Sequence, residues 1–355
     1  MINALIVSNQ IDVYAYQLCK ELNNKGYQMH ITYCESNELE KIPKSIIKHK
    51  IPLYKHKFNF KAILELRSII INNHINVIYC VNQSSLSNAL FASLFTKAKV
   101  VAYRGTQAKI RKTDPTYYLG ILNPRIDHVI CATSDIKESL QKHYPKEHLT
   151  YNPKPYKTEW VKDAMKNPNP LSWISKDSFI VVCVALTKGR PYKGLNQLIK
   201  AMQLVNNHEV HLVHIGDFEE SDFSLAKNGR NANQIHLIGK KNDAVHYLPK
   251  ADVCICPSTR DASPRSLREA MACELACIVT DIPGAKELVI HKKTGLVVLP
   301  NSAKSIANAI EKLAKNPKTT KQYGKQGKAY LEQEFSMDNY ANKFDKVFKK
   351  VCNRM

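Results

Sequence analysis

Two acidic residues and an arginine lie close together in the stretch from Thr259 to Gly284. Asp261 and Arg265 belong to a polar segment that follows a short apolar run, and seven residues separate Asp261 from Glu269. This pattern predicts that a loop carries Asp261 and Arg265 and leads into a helix that carries Glu269. The first turn of a helix presents unpaired backbone N–H groups, which bind anions. The stretch therefore predicts a site for an anionic ligand that also bears hydroxyl groups.

A structural interpretation of the same residues remains open. Ser266 and Glu269 have the spacing of a capping box, and Ser263 with Pro264 is a second possible helix start. In that case Glu269 would serve the helix and not a ligand. A second cationic loop on the same predicted sheet favours ligand binding, because ligands of open α/β sheets gather at the carboxyl ends of the strands.

That second loop follows the apolar run from Phe179 to Ala185. It is bounded by Gly189 and Gly194, and between them the chain carries Arg190 and Lys193. Cations beside a helix N-terminus suit a diphosphate group. The spacing fits neither a Walker A loop nor the G-x-G-x-x-G dinucleotide fingerprint, so the sequence supports neither an ATPase nor a dehydrogenase.

Both loops belong to an alternation of apolar runs and helical periods, which is typical of βαβ units around a parallel sheet. The alternation extends from Met1 to about Ala132 and begins again at Phe179. Between them lies a segment rich in Pro and Asn that predicts a linker. We therefore expect an α/β protein with Rossmann-like domains at residues 1–165 and 166–335.

The composition is that of a soluble globular protein, with 44% hydrophobic and 23% charged residues. A net charge of +21, from 52 basic and 31 acidic residues, indicates an anionic partner or a compositional habit of the source proteome. Nucleic acid is not expected, since the chain has no helix-turn-helix, zinc-finger or RNP-type pattern. An anionic membrane surface and anionic small substrates remain.

The sequence predicts reduced cysteines and no membrane span. No run reaches the ~18 uncharged apolar residues of a spanning helix, and Met1 to Ser8 is too short for a signal peptide, so cytoplasmic residence is expected. The ten cysteines lie mostly in apolar runs without a CxxC pair, which indicates buried thiols. Cys273 and Cys277 have no histidine at ligand spacing, so no zinc site is expected.

The segment from Lys41 to Lys61 interrupts the alternation. Its basic residues stand beside aromatic ones, a composition that suits the surface of an anionic bilayer. The alternative is a solvated connector whose apolar side chains pack into the core. The seven lysines are Lys41, Lys44, Lys48, Lys50, Lys55, Lys57 and Lys61, and the interleaved apolar residues are Ile46, Ile47, Tyr54, Phe58 and Phe60.

The second half of the chain resembles a retaining glycosyltransferase of family 4 with the GT-B fold. That family carries two glutamates separated by seven residues, usually written EGFPxxxxEAMAxGxPVV, and Asp261 to Thr280 reads DASPRSLREAMACELACIVT. Its Arg and Lys-Gly phosphate pair is matched by Arg190 and Lys193-Gly194. Further matches are Pro264, Glu269, Ala270, Met271, Gly284, Glu287, Leu288 and Thr294-Gly295-Leu296-Val297-Val298.

The resemblance implies two facing Rossmann-like domains and a final helix, residues 336–355, that crosses back to the first domain. It implies transfer of a sugar, with retention of configuration, from a nucleotide diphosphate sugar to a cell-envelope glycan or lipid-linked acceptor such as lipopolysaccharide or capsule. No cofactor or metal is implied, because Arg and Lys replace Mg²⁺ at the leaving diphosphate. The enzyme is expected in the cytoplasm, peripheral at the inner face of the plasma membrane.

The resemblance also assigns residues, with catalytic roles for Arg190, Lys193, Asp261 and Glu269. Arg190 and Lys193 would neutralise the diphosphate, Glu269 would hold the ribose hydroxyls and Asp261 the hydroxyls of the donor sugar. The first domain would bind the acceptor. The implied donor-binding set is Arg190, Lys193, Gly194, Gly216, Gly239, Lys240, Asp261, Pro264, Arg265, Ser266 and Glu269.

Three features depart from the family pattern. Asp261 is one methylene shorter than the usual Glu, and the segment from Ser8 to Asp12 replaces a glycine-rich loop. Where many relatives have a histidine, this chain has Tyr103-Arg104-Gly105-Thr106. Asn9 and Arg104 are expected on the acceptor or phosphate side, with a structural role for Arg104 as the alternative. A weakly active or inactive sugar-binding relative and a nucleotide-sugar epimerase are the alternative functions.

Overall fold

The structure is a computed structural model, and it describes residues 1–9, 13–34, 42–54, 56–106, 108, 110–156, 161–167 and 169–353. The chain divides into two compact units. The first consists of Met1–Pro155 with Met337–Met355, and the second of Tyr156–Ser336.

Strands and helices alternate through both units, as the sequence predicts. The strands are β1 (Asn3–Val7), β2 (Gln28–Tyr33), β3 (Ile47–Lys50), β4 (Val77–Cys80), β5 (Lys99–Arg104), β6 (Ile126–Cys131), β7 (Leu149–Tyr151), β8 (Phe179–Val184), β9 (Val210–Ile215), β10 (Ile235–Leu237), β11 (Val253–Cys256), β12 (Ala276–Thr280) and β13 (Gly295–Val298). The helices are α1 (Val13–Asn24), α2 (Phe60–Asn72), α3 (Gln83–Ala92), α4 (Ser134–Leu140), α5 (Lys162–Lys166), α6 (Leu195–Leu204), α7 (Glu220–Lys227), α8 (Arg265–Ala272), α9 (Pro283–Lys286), α10 (Ala303–Ala314), α11 (Pro317–Glu334) and α12 (Met337–Cys352).

The first unit is built on a parallel sheet with the strand order β3-β2-β1-β4-β5-β6-β7. Ala4 on β1 is the register partner of Met29 on β2 and of Val77 on β4. Every residue of β4 is buried, which is the pattern of a parallel strand covered by helices on both faces. The order reverses between β1 and β4, and this reversal is the position at which such sheets bind ligands.

The final helix, α12, packs into the core of the first unit, which confirms the expected return of the chain. The rings of Phe344 and Tyr79 meet edge to face with centroids 4.7 Å apart. Tyr27 donates a hydrogen bond from its hydroxyl to Asp345 Oδ1 at 2.8 Å. Phe344 and Phe348 are fully buried in a cluster with Ala4 and Ile6, so the sheet face beneath α12 depends on this helix for its cover.

The second unit contains a parallel sheet with the order β10-β9-β8-β11-β12-β13. This order is that of a Rossmann fold, and it reverses between β8 and β11. Helices α6 and α10 pack together, as do α8 and α11. Two Rossmann-like units, each with a parallel sheet, confirm the α/β fold class that the sequence predicts.

The structural division of the chain lies after Pro155 and not after residue 165. Tyr156 and Val161 are buried in the core of the second unit, and Tyr156 N donates to Phe335 O at 2.9 Å. The Pro- and Asn-rich stretch therefore belongs largely to the second unit. The second division falls after Ser336, one residue later than expected.

The basic segment combines features of both interpretations. Lys41 and Lys55 lie outside the described residues. Ile46 and Tyr54 are buried in the core, as expected of a connector. Phe58 and Phe60 expose 56% and 63% of their surface beside the lysines, as expected of a surface that contacts a partner.

The ten cysteines are all free, and nine of them are buried, which agrees with the expected thiols. Within the described ranges no cluster of His, Cys, Asp and Glu is suited to a metal ion. No helix of the described chain combines the length and the apolar character needed to cross a membrane.

Candidate functional site

A pocket of about 410 Å³ opens in the second unit where β8 and β11 end. Cys183 and Val184 of β8 and Cys256 of β11 form part of its wall. The strand order reverses between these two strands, so the loops that follow them diverge and leave a crevice. The pocket therefore lies at the position where the fold favours a ligand.

The structure brings nine of the eleven predicted donor-binding residues to this pocket. Gly194 and Gly239 are the two that do not line it. The nine are Arg190, Lys193, Gly216, Lys240, Asp261, Pro264, Arg265, Ser266 and Glu269.

Gly194 and Gly239 do not line the pocket, but both contact residues that do. Gly194 has a φ of 78°, and a Cβ there would lie 2.2 Å from the carbonyl oxygen of Pro257. Only glycine permits this approach of the two loops. Gly239 also has a positive φ of 74°, and its carbonyl accepts a hydrogen bond from Gly216 N at 3.0 Å.

Lys193 and Asp261 form an ion pair at the base of the two loops. Lys193 Nζ lies 2.6 Å from Asp261 Oδ2, and the side chains are only 22% and 13% exposed. Burial lowers the pKa of the Lys193 ammonium, but the hydrogen bond and the negative charge of Asp261 outweigh burial and raise the pKa above its ordinary value. Lys193 is therefore a permanent cation at neutral pH.

Glu269 lies on α8, four residues after Arg265, the first residue of the helix. Its Oε1 accepts a hydrogen bond from Arg265 Nε at 2.8 Å, and the glutamate side chain is 14% exposed. The N-cap of α8 is Pro264, which makes no side-chain cap. Ser266 therefore lies inside the helix, and the capping-box interpretation of Ser266 and Glu269 is wrong.

A backbone hydrogen bond and a cation–π contact join the two cationic loops. Thr259 N donates to Tyr192 O at 2.7 Å, and the guanidinium of Arg260 lies 4.4 Å from the centre of the Tyr192 ring. These contacts fix the loops relative to each other before any ligand binds.

Several residues that line the pocket were not predicted from the sequence, among them Lys241, Ala244, Cys183 and Cys256. Lys241 directly follows the predicted Lys240, so the pair of lysines was a usable signal. The cysteines end buried strands and have no polar signature. Burial raises the pKa of the Cys256 thiol, so this side chain contributes a neutral wall.

A second pocket, of about 510 Å³, lies in the first unit where β1 and β4 end. Asn9 lines it and donates from Nδ2 to Tyr54 O at 2.5 Å. The ammonium of Lys154 lies 4.5 Å from the centre of the Tyr14 ring. Residues 10–12 of the predicted acceptor-side segment lie outside the described residues. The tyrosines that line this pocket are Tyr14, Tyr54, Tyr79, Tyr103 and Tyr340.

Arg104 is not among the residues that line this pocket. It is 4% exposed, its Nη2 donates to Ala108 O at 2.7 Å, and burial lowers the pKa of its guanidinium. Its neighbour Tyr103 lines the pocket instead, because adjacent residues of a strand point to opposite faces. The structure favours the structural role for Arg104.

Both halves of the chain match family models. Residues 172–330 match the model described as Glycosyl transferases group 1, and residues 11–159 match the model described as Glycosyltransferase Family 4. The chain is 25% identical over 342 residues to the capsular polysaccharide biosynthesis glycosyltransferase CapM of Staphylococcus aureus, an alignment that covers 89% of this chain and 88% of that protein.

Solved structures share the fold. A glycosyltransferase from Rickettsia africae superposes with a TM-score of 0.82 at 17% identity, over 100% of this chain and 99% of the other. Anabaena Alr3699/HepE in complex with UDP superposes with a TM-score of 0.77 at 16% identity, over 99% of this chain and 100% of the other.

Proposed function

Because this chain belongs to the glycosyltransferases, with the group 1 and family 4 models matching its two halves, we propose that it moves a sugar from a nucleotide diphosphate sugar to an acceptor with retention of configuration. One observation carries the proposal. Arg190, Lys193 and Glu269 line a single pocket at the strand-order reversal of the second unit. Cations for a diphosphate and a carboxylate for hydroxyl groups are thereby held within reach of one ligand.

In this proposal Arg190, Lys193 and the first amides of α8 stabilise the negative charge that develops on the leaving diphosphate. Fixed cations and helix N-termini aimed at developing charge are among the largest catalytic effects. A metal ion is not needed for that role, so we propose metal-independent transfer. Glu269 holds the ribose hydroxyls, and Lys240 lies near the base. Anabaena HepE, which shares this fold, has been solved in complex with UDP, and this supports a nucleotide ligand for this chain.

We assign the acceptor to the tyrosine-lined pocket of the first unit. Tyrosine rings offer flat apolar faces with a polar hydroxyl at the edge, which suits the alternating apolar and hydroxyl surfaces of a glycan. The similarity to a glycosyltransferase of capsular polysaccharide biosynthesis supports a cell-envelope glycan or its lipid-linked precursor as the acceptor.

The function is tested by a donor screen followed by two variants. UDP-, GDP-, ADP- and CDP-sugars are compared by thermal shift, since a ligand at 100 times its Kd stabilises a protein by about 2.7 kcal/mol. With the donor so found, Lys193→Ala and Glu269→Ala each reduce transfer by a factor of at least about 100. Lys286→Ala, in the same unit, removes an exposed lysine and serves as the matched control.

Full transfer by either site variant, with both folded, would contradict the assignment. The two alternative functions give different results in the same assay. An inactive sugar-binding relative shifts in melting temperature with a donor but neither transfers nor hydrolyses it. An epimerase converts the donor to its isomer without an acceptor.

We also propose that the first unit contacts an anionic bilayer, at the inner face of the plasma membrane. Phe58, Phe60 and Leu64 are exposed, and the exposed Lys61 lies among them in the chain. Exposed aromatic and apolar side chains enter the interface while lysines meet the lipid phosphates.

Co-sedimentation with phosphatidylglycerol vesicles tests this contact. Changing Lys48, Lys50, Lys55 and Lys57 to Glu, or Phe58 and Phe60 to Ser, is expected to weaken binding. Lys318→Glu with Lys325→Glu, on exposed positions of α11, is the control and leaves binding unchanged. Equal binding by all variants would favour a compositional origin of the charge.

A further inference from the structure

We propose that Asp261 competes with the donor diphosphate for the ammonium of Lys193, and that this competition limits donor affinity and speeds release of the nucleoside diphosphate product. The inference rests on the proposed function. It replaces the expected role of Asp261 as a ligand of the donor sugar.

Both carboxylate oxygens of Asp261 are engaged within the chain. Oδ2 accepts from Lys193 Nζ at 2.6 Å, and Oδ1 accepts from Ser263 N at 3.2 Å. A carboxylate has about four acceptor sites, so these two contacts use about half of the capacity that sugar hydroxyls would need. The shorter side chain, where the family has Glu, therefore directs its charge at the lysine.

The aspartate is held in place by the packing around its loop. A Cβ on Gly284 would lie 2.2 Å from the backbone oxygen of Asp261, so the loop and α9 are in close contact. Ser263 Oγ accepts from Nη1 of the buried Arg268 at 2.7 Å. Lys193, in contrast, carries its charge on a flexible four-carbon stem. The lysine is thus the partner that moves.

Lys193 lines the donor pocket together with Asp261. A diphosphate that enters the pocket can take this ammonium only as the ion pair to Asp261 weakens, and it also approaches a carboxylate of like charge. Both effects oppose binding. When the carboxylate becomes an amide of the same shape, the competition and the repulsion are removed together.

The test measures the Kd of UDP, GDP, ADP and CDP for the whole chain by calorimetry, in the wild type and in Asp261→Asn. For the nucleotide that the wild type binds, Asp261→Asn is expected to bind on the order of 10-fold more tightly, with slower dissociation. The matched control is Asp281→Asn, which neutralises an acid in an exposed ion pair of the same unit and leaves the Kd unchanged.

Unchanged or weaker binding of the nucleoside diphosphate by Asp261→Asn would overturn the inference. If Asp261 bound the donor sugar, Asp261→Asn would weaken binding of the nucleotide sugar only. If Asp261 competes for Lys193, Asp261→Asn changes the Kd of the nucleotide and the Kd of the nucleotide sugar by the same factor. Asp261→Glu keeps the charge and is expected to bind within about 3-fold of the wild type. Binding by Asp261→Glu that is as tight as binding by Asp261→Asn would also overturn the inference. A wild type that binds none of the nucleotides contradicts the proposed function itself.

Discussion

The two pockets occupy the same place in two similar sheets and are lined by different chemistry. Each lies where the strand order reverses, between β1 and β4 in the first unit and between β8 and β11 in the second. Charged side chains line the second-unit pocket, whereas tyrosines with Lys154 line the first. The backbone thus determines where a ligand binds, and the side chains determine which ligand it is.

The sheets also share a pair of histidines, and here they differ in burial. His30 on β2 and His49 on β3 stack with ring nitrogens 2.9 Å apart. His211 on β9 and His236 on β10 stack in the same way at 3.0 Å. His30 is buried and His236 is partly exposed. Similar topology therefore gives similar histidine pairs a different exposure to solvent.

The largest expected difference between the units follows from α12. Phe344→Ala removes a fully buried ring that contacts Tyr79 and Phe348, and is expected to lower the free energy of unfolding of the first unit by about 3–5 kcal/mol. The Kd for the nucleoside diphosphate is expected to stay unchanged, because the pocket to which we assign the donor belongs to the second unit. Urea unfolding and calorimetry measure the two quantities. Lys346→Ala, exposed on the same helix, is the control, and loss of nucleotide binding in Phe344→Ala would contradict the separation of the units.

A smaller effect is expected inside one loop of the second-unit pocket. Gly194→Ala brings a Cβ within 2.2 Å of the Pro257 carbonyl oxygen. It is expected to lower the free energy of unfolding by about 3 kcal/mol and to weaken nucleotide binding. Gly189→Ala, at a similar positive φ but with nothing within 4 Å, is expected to cost only about 1 kcal/mol. Thermal unfolding with and without nucleotide compares them. Equal losses would show that backbone conformation, and not the contact between loops, makes glycine necessary.

The histidine pairs predict a dependence of stability on pH. Burial, followed by the neighbouring ring, lowers the pKa of His30 and of His236 to about 4. The unfolded value is about 6.5, so between these values the unfolded chain binds more protons and stability is lost as the pH falls. Each of these two histidines is expected to contribute about 2 kcal/mol between pH 7 and pH 5.

Urea unfolding of His30→Gln and His236→Gln at both pH values measures these contributions. Each variant should lose less stability than the wild type on acidification. A wild-type pH dependence in both variants would assign it to other groups.

The smallest effect concerns the tyrosine-lined pocket. Tyr103→Leu removes a ring near the Lys154 ammonium, 5.8 Å from its centre, and is expected to raise the KM for the acceptor about 5-fold. The KM for the donor stays unchanged. Tyr118→Leu, at an exposed position that does not line the pocket, is the control. A change confined to the donor KM would move the acceptor away from this pocket.

The pocket of the second unit was largely predictable from the sequence, and the tyrosine-lined pocket of the first unit was not. A diphosphate requires cations beside a helix N-terminus, and Arg190 and Lys193 stand beside such a start in the sequence. The tyrosines come from distant parts of the chain, from Tyr14 to Tyr340, and apolar rings in strands and helices are indistinguishable from core residues in a sequence pattern. Only the strand order brings them together.

The domain division and the role of Arg104 illustrate two further limits. Proline and asparagine mark irregular backbone, but they do not indicate the core into which a neighbour such as Tyr156 packs. Alternation along a strand separates Tyr103 from Arg104, and the phase of that alternation depends on tertiary packing. The pattern of βαβ units is local and was therefore readable in both halves.

The position of α12 has a consequence for the order in which the units form during synthesis. Residues 156–336 of the second unit are contiguous, whereas the first unit needs Met337–Cys352 to cover the sheet face that contains Ala4 and Ile6. Domains usually fold in order from the N-terminus as the ribosome adds residues. In this chain the order of completion is reversed, and the nascent first unit exposes an apolar face until translation reaches the last helix.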